Sequence, residues 1–93
     1  MPTATARHIL VDTEKECSDL VAKLRAGADF VELAKKHSKC PSGRRGGDLG
    51  SFGRGDMVPE FDQAVFAAKV GSIVGPVETP FGYHVVQVTS RQD

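Results

Sequence analysis

The chain has 93 residues, with 12 Lys and Arg against 12 Asp and Glu, so its formal net charge is zero. A content of 26% charged and 40% hydrophobic residues is typical of one ordinary globular domain and excludes bulk disorder. The balanced charge argues against a nucleic-acid binder, and no apolar run is long enough to span a membrane.

The first part of the chain predicts one strand and two helices. Residues 6–11 are interpreted as a strand, in which Ile9, Leu10 and Val11 follow His8 and successive side chains point to opposite faces. Thr13 then begins a helix as the first residue of a capping box, and Gly27 ends it. A second helix begins at Asp29 by the same signal and ends near His37, the last residue of its apolar stripe.

Residues 38–55 form a segment rich in glycine. Six of the fourteen residues from 42 to 55 are glycine, which favours turns and close backbone approaches. Leu49 and Phe52 are isolated apolar residues in this segment, and they indicate a short irregular strand.

The last part predicts a helix and two extended segments. Pro59 begins the helix at a position where a missing amide does no harm, and Gly71 ends it. We expect a turn at Gly75 and Pro76, a short extended piece over residues 77–79 and a clear β-branched strand over residues 83–89. The order of elements predicts an α+β domain with a small, largely antiparallel sheet.

Two histidines lie in predicted strands at opposite ends of the chain. His8 and His84 both have apolar neighbours, and a buried imidazole needs partners for its ring nitrogens. If the two strands were adjacent, the imidazoles could bind each other. The simpler alternative is that each is a structural histidine of the core whose ring nitrogens are hydrogen-bonded.

The two cysteines indicate a reducing compartment. Cys17 lies on the apolar stripe of the first helix, so it is interpreted as a small core residue. Two cysteines do not make a disulfide framework, and the start of the chain lacks a secretory signal pattern. A cytoplasmic protein is therefore expected.

Other chemistries for these residues fit the sequence less well. Cys40 with either histidine could form a nucleophile and base, but no helix start follows the cysteine to activate it. His37 and Cys40 have a spacing typical of zinc ligands, yet zinc sites come as two close pairs. The glycines lack the pattern of a phosphate-binding loop.

The segment from residue 35 to residue 54 is basic. It holds six Lys and Arg against one Asp, a formal charge of +5 in a neutral chain. A solvated basic edge is the simple interpretation. The functional alternative is attraction for acidic segments of a partner.

Three large apolar side chains stand close to turns. Met57 follows the glycine-rich segment, Phe61 begins the stripe of the third helix, and Phe81 lies in a predicted turn. Together they could line a shallow pocket about the size of one small ring.

Four segments in this order resemble the parvulins, a family of peptidyl-prolyl cis-trans isomerases. These are residues 8–11, 46–50, 57–61 and 81–86, within a motif-bearing core of residues 6–89 in a single domain of residues 1–93. The length is similar to that of the small free-standing bacterial parvulin. The resemblance implies an FKBP-like fold, a four-stranded, largely antiparallel sheet surrounded by helices.

The resemblance also implies roles for eight residues. His8 and His84 match the paired histidines of the sheet, Thr79 a hydroxyl that binds them, and Cys40 the position beside the substrate carbonyl. Leu49, Met57 and Phe61 match the proline pocket, and Phe81 falls where some relatives have serine and is expected to add to the pocket wall. The implied reaction is non-covalent, so Cys40 is not a nucleophile, and it uses neither metal nor cofactor.

One departure from the family concerns phosphate. Parvulins that require phosphate carry a basic cluster after the first strand, whereas residues 12–16 here are acidic on balance. We therefore expect a monomer that acts on X-Pro bonds of peptides and of unfolded or flexible protein segments, without a phosphate requirement, and so assists folding. The alternative is a proline-binding module without turnover.

Overall fold

Four strands and three α-helices make up the computed structural model, which describes residues 3–92. Their bounds are β1 Thr3–Val11, α1 Glu14–Arg25, α2 Phe30–His37, β2 Asp48–Gly53, α3 Pro59–Ala67, β3 Ile73–Thr79 and β4 Gly82–Gln92, with a 3-10 helix at Pro41–Arg45 between α2 and β2. No helix in this range has the length and apolarity needed to cross a membrane.

The strands form one antiparallel sheet in the order β2-β1-β4-β3. The first and the last strand of the described residues therefore form the two central strands. In their register Leu10 lies opposite His84, and His8 lies opposite Val86. This arrangement confirms the predicted α+β class and the four-stranded sheet.

Each face of the sheet has its own core. Ile9 and Val85 lie on the face covered by α1 and α2, whereas Val86 and Val88 lie on the face covered by α3. Because side chains alternate along a strand, His8 and His84 point to the α3 side. Both histidines are therefore held between a sheet and a helix.

Several predicted boundaries are wrong. β1 begins at Thr3 and β4 runs to Gln92, so both are longer than expected. α3 ends at Ala67, because the backbone of Ala68 is extended, and the amide of Gly71 donates to the carbonyl of Val88.

The turn predicted at Gly75 and Pro76 is also wrong. Both residues lie inside β3, at a shift of the register between Val74 and Val77. β3 is an edge strand, where a proline that lacks an amide donor is tolerated.

Candidate active site

The centre of the site is a pair of buried imidazoles. His8 on β1 and His84 on β4 are diagonal neighbours, and their Nδ1 atoms lie 2.9 Å apart. Each histidine is only 5% exposed. The sheet thus brings together two residues that are 76 positions apart in the chain.

The hydrogen bonds continue from His8 towards Cys40. The Oγ of Ser42 lies 3.1 Å from Nε2 of His8, and the same hydroxyl donates to Sγ of Cys40 over 3.3 Å. Ser42 is buried in the 3-10 helix, which follows Cys40 directly. The cysteine is therefore linked to the histidine pair through a hydroxyl.

On the other side the bonds continue to the turn before β4. The Oγ1 of Thr79 lies 2.7 Å from Nε2 of His84 and accepts a bond from the amide of Phe81 over 3.2 Å. Thr79 is buried. Both ring nitrogens of each histidine therefore have a partner.

The bond from the Ser42 hydroxyl to Sγ of Cys40 sets the direction of donation along this chain of bonds. Because the Ser42 hydroxyl donates to Cys40, it must accept from Nε2 of His8. Nδ1 of His8 is then an acceptor, so His84 donates a hydrogen bond from its Nδ1. Nε2 of His84 accepts a hydrogen bond from the hydroxyl of Thr79. The two histidines are neutral and hold opposite tautomers.

Burial keeps both histidines neutral. It lowers the pKa of His8 from 6.5 to about 4, with a smaller contribution from the neighbouring His84. Burial also lowers the pKa of His84. A proton added to either ring would remove an acceptor from the chain of bonds, so the low pKa and the bonding pattern agree.

A mostly apolar cavity of about 330 Å³ opens beside the pair. Phe61 forms the wall nearest the imidazoles, with ring centroids 5.7 Å from His8 and 5.5 Å from His84 in edge-to-face contacts. Phe81 is 68% exposed at the rim. The cavity is lined by His8, Leu10, Lys39, Cys40, Pro41, Leu49, Met57, Val58, Phe61, Phe81 and His84.

The loop that carries Met57 is held by a buried carboxylate. Oδ1 of Asp62 on α3 accepts the amide of Gly55 over 3.1 Å, and Oδ2 lies 3.4 Å from Arg54. The guanidinium of Arg54 lies over the ring of Phe66. These contacts join the loop to the helix that supplies Phe61, so they fix one side of the cavity.

A close backbone approach holds the other side of the site. The carbonyl of Gly47 accepts the amide of His8 over 3.0 Å. Gly47 has a φ of 86°, and a Cβ there would lie 2.2 Å from the carbonyl oxygen of His8. This position of the glycine-rich segment therefore has room only for glycine.

Seven of the eight residues singled out by the resemblance line the cavity, and the eighth, Thr79, lies behind His84. Sequence reasoning missed Ser42 and Asp62, and it included Lys39 only as a member of the basic segment. A serine two positions after Cys40 has no periodic or motif signal, and the burial of Asp62 depends on the loop that folds onto it.

The alternative chemistries find little support in the geometry. Among residues 3–92, the side chain of Cys40 is hydrogen-bonded to the Ser42 hydroxyl and not to an imidazole. Within residues 3–92 no three His, Cys, Asp or Glu side chains are grouped so that they could hold a metal ion. His37 is the last residue of α2 and does not line the cavity.

Comparison with known proteins assigns the chain to a family. Residues 3–90 match the PpiC-type peptidyl-prolyl isomerase domain, also called rotamase. The chain is 48% identical over 92 residues to the foldase protein PrsA of Geobacillus kaustophilus, covering 98% of this chain and 33% of that protein.

Solved structures agree with this match. The peptidylprolyl isomerase PrsA of Bacillus anthracis superposes with a TM-score of 0.96 at 45% identity, over 99% of this chain and 43% of that one. NmPin, the parvulin of Nitrosopumilus maritimus, gives a TM-score of 0.86 at 34% identity, over 97% of this chain and 98% of that one. The chain spans about a third of the length of the curated PrsA relatives, including the one from Geobacillus, and it belongs to the PpiC-type peptidyl-prolyl isomerase family, the parvulins.

Proposed function

We propose that this protein is a peptidyl-prolyl cis-trans isomerase that acts on X-Pro bonds in peptides and in unfolded or flexible protein segments. The observation that carries the proposal is the apolar cavity of about 330 Å³ with the neutral histidine pair at its base and Cys40 at its edge. Family membership supports the same activity. In a cell the reaction would assist protein folding.

The reaction needs rotation and no bond cleavage. An X-Pro bond isomerises unaided over a barrier of about 20 kcal/mol, because amide resonance is lost in the twisted state. Each reduction of the barrier by about 1.4 kcal/mol accelerates the rotation tenfold. A site that binds the twisted amide better than either planar form is therefore sufficient.

The cavity offers two ways to favour the twisted amide. Leu49, Met57 and Phe61 would hold the proline ring while the preceding carbonyl rotates past Cys40. Apolar walls would also remove water, which otherwise stabilises the polar planar amide. Cys40 acts in this scheme through its local polarity and forms no covalent bond.

Buried neutral histidines favour a positioning role for the pair. His8 and His84 are 5% exposed and bonded on both ring nitrogens, which leaves neither a free proton nor a free lone pair for the substrate. They join β1 to β4 beneath Phe61. We assign them the task of holding the cavity in one geometry.

Three narrower expectations remain proposals. Acidic residues at positions 12, 14 and 16 support activity without phosphate, and a phosphoserine-proline peptide should react no faster than its serine-proline counterpart. The free cysteines Cys17 and Cys40 support a reducing, cytoplasmic location, which cell fractionation would test. Light scattering of the purified protein would test the expected monomer.

The first experiment is NMR exchange spectroscopy on a short Ala-Leu-Pro-Phe-type peptide. Wild-type protein should accelerate cis-trans exchange, and Met57→Ala should lower kcat/KM about fivefold to tenfold, because about 1 kcal/mol of apolar contact with the proline is lost. Val70→Ala is the matched control, since Val70 is exposed and outside the cavity. Peptide shifts without faster exchange would instead indicate a binding module.

A further inference from the structure

A second cavity lies beside the proposed active site. It has a volume of about 410 Å³ and is lined by Lys35, Ser38, Lys39, Cys40, Pro41, Gly43 and Arg44. Residues 39–41 also line the apolar cavity, so this short segment is the wall that the two cavities share. A polypeptide bound in the first cavity therefore passes close to the second.

The second cavity is strongly basic. Lys35 comes from the last turn of α2, Lys39 from the segment after it, and Arg44 from the 3-10 helix. Among the ion pairs of residues 3–92, only one involves these three side chains, between Lys39 and the exposed Asp12 at 3.8 Å. No acidic residue lines the cavity itself.

This concentration of charge stands out in a chain whose formal net charge is zero. Three cations around one depression attract an anion more strongly than any of them would alone. The interaction is partly screened because Lys39 is 57% exposed, so it suits selection among substrates and not tight binding.

We infer that this basic cavity is a substrate subsite that binds an acidic side chain, Asp or Glu, two or three residues away from the isomerised proline. The inference rests on the proposed function and adds a substrate class to it. The separation of two or three residues between the proline and the acidic side chain follows from the wall of residues 39–41 that the two cavities share. An extended chain advances by about 3.3 Å per residue, so it needs a few residues to pass such a wall. The residue next to the proline would still lie beside the wall itself.

A peptide series tests the subsite. Each peptide carries one Glu, or the neutral Gln as its control, at the second or third residue on either side of the proline. At low salt, Glu at one of these positions should raise kcat/KM about fivefold over Gln. The advantage should fall below about twofold in 0.5 M NaCl, because salt screens exposed charges.

Two double variants complete the design. In Lys35→Gln/Arg44→Gln, the ratio of kcat/KM for the Glu peptide to kcat/KM for the Gln peptide should fall to about one. Lys23→Gln/Lys69→Gln removes the same charge from exposed residues outside both cavities, and it should keep the ratio. Equal rates for Glu and Gln at every position, or an advantage that both variants retain equally, would overturn the subsite.

The subsite and the proposed function fail in different ways. If the wild-type protein accelerates the Gln peptides but shows no preference for Glu, only the subsite is wrong. If no peptide is isomerised, the proposed function is wrong. Chemical-shift titration with the same peptides then still tests whether the subsite exists, because the Glu peptide can bind more tightly than the Gln peptide without turnover.

Discussion

Acid should destabilise this domain through its buried histidine pair. Burial and the neighbouring His84 hold the pKa of His8 at about 4, against 6.5 for an ordinary histidine. Between these two values the unfolded chain binds more protons than the folded chain. The stability that the neutral His8 contributes is therefore complete above about pH 6.5, and it is lost as the pH falls towards 4.

The size of the effect follows from the two pKa values of His8. The difference between 6.5 and about 4 corresponds to about 3 kcal/mol when the titration is complete. About 2.5 kcal/mol of this is already lost at pH 4.5. His84 acts in the same direction, since burial lowers its pKa too. Domains are typically stable by roughly 5–15 kcal/mol, so the loss is a large fraction.

Urea unfolding followed by far-UV circular dichroism at pH 7.5 and 4.5 measures this loss. Carboxylates also titrate in this range, so wild type is compared with His8→Gln and with the control His37→Gln. On acidification, the free energy of unfolding of wild type and of the control should each fall by about 2.5 kcal/mol more than that of His8→Gln. Equal losses in all three proteins would refute the reasoning.

A second measurement covers the case in which His8→Gln does not fold. The ring protons of His8 in the wild-type protein can be followed by NMR as the pH is lowered. They should show no titration above about pH 5, because the pKa of His8 is about 4. A midpoint near 6.5 would contradict the account of a buried neutral pair.

Three further predictions concern single side chains. Cys40→Asp should keep most of kcat/KM and Cys40→Ala some of it, whereas loss of all activity in both would contradict a non-covalent role. Asp62→Ala should raise KM with little change in kcat and lower the free energy of unfolding by about 1–2 kcal/mol, because the loop that carries Met57 loses its anchor; an unchanged KM would refute this anchor. Thr79→Val leaves Nε2 of His84 without its donor and should lower the free energy of unfolding in urea by about 1–3 kcal/mol. An undiminished stability would show that the hydroxyl is not that donor.

Local signals predicted most of the secondary structure. Thr13 and Asp29 begin their helices as expected, since their side chains accept the amides of the first turn. The run of β-branched residues in β4 likewise marked its strand. These features depend on neighbours in the chain, and a single sequence displays them directly.

Boundaries set by distant contacts were not predictable in this way. The first residues of β1 are Thr3, Ala4 and Thr5, which include no large apolar side chain to indicate a buried strand, yet they pair with β2 and β4 on both sides. Gly75 and Pro76 carry a strong turn signal, but pairing with β4 holds the segment around them in an edge strand. Tertiary pairing here outweighs local preference.

The candidate site was predicted by two different routes. Residue types alone suggested the histidine pair and the apolar set with Met57, while the resemblance supplied Leu49 and Thr79. Neither route found Ser42, whose importance depends on the fold of the 3-10 helix beneath His8. The basic cavity was visible only as a charged stretch of sequence, because its shape forms when α2 and the 3-10 helix meet.

The pairing of β1 with β4 brings together the first and last residues that the structure describes. Thr3 and Gln92 are register partners on adjacent strands, so a linker of a few residues could join them without disturbing β1 or β4. The chain could then be opened at the exposed residues 26–29 between α1 and α2. Such a circular permutant should retain the histidine pair, and the same geometry would allow the domain to be inserted into a surface loop of another protein.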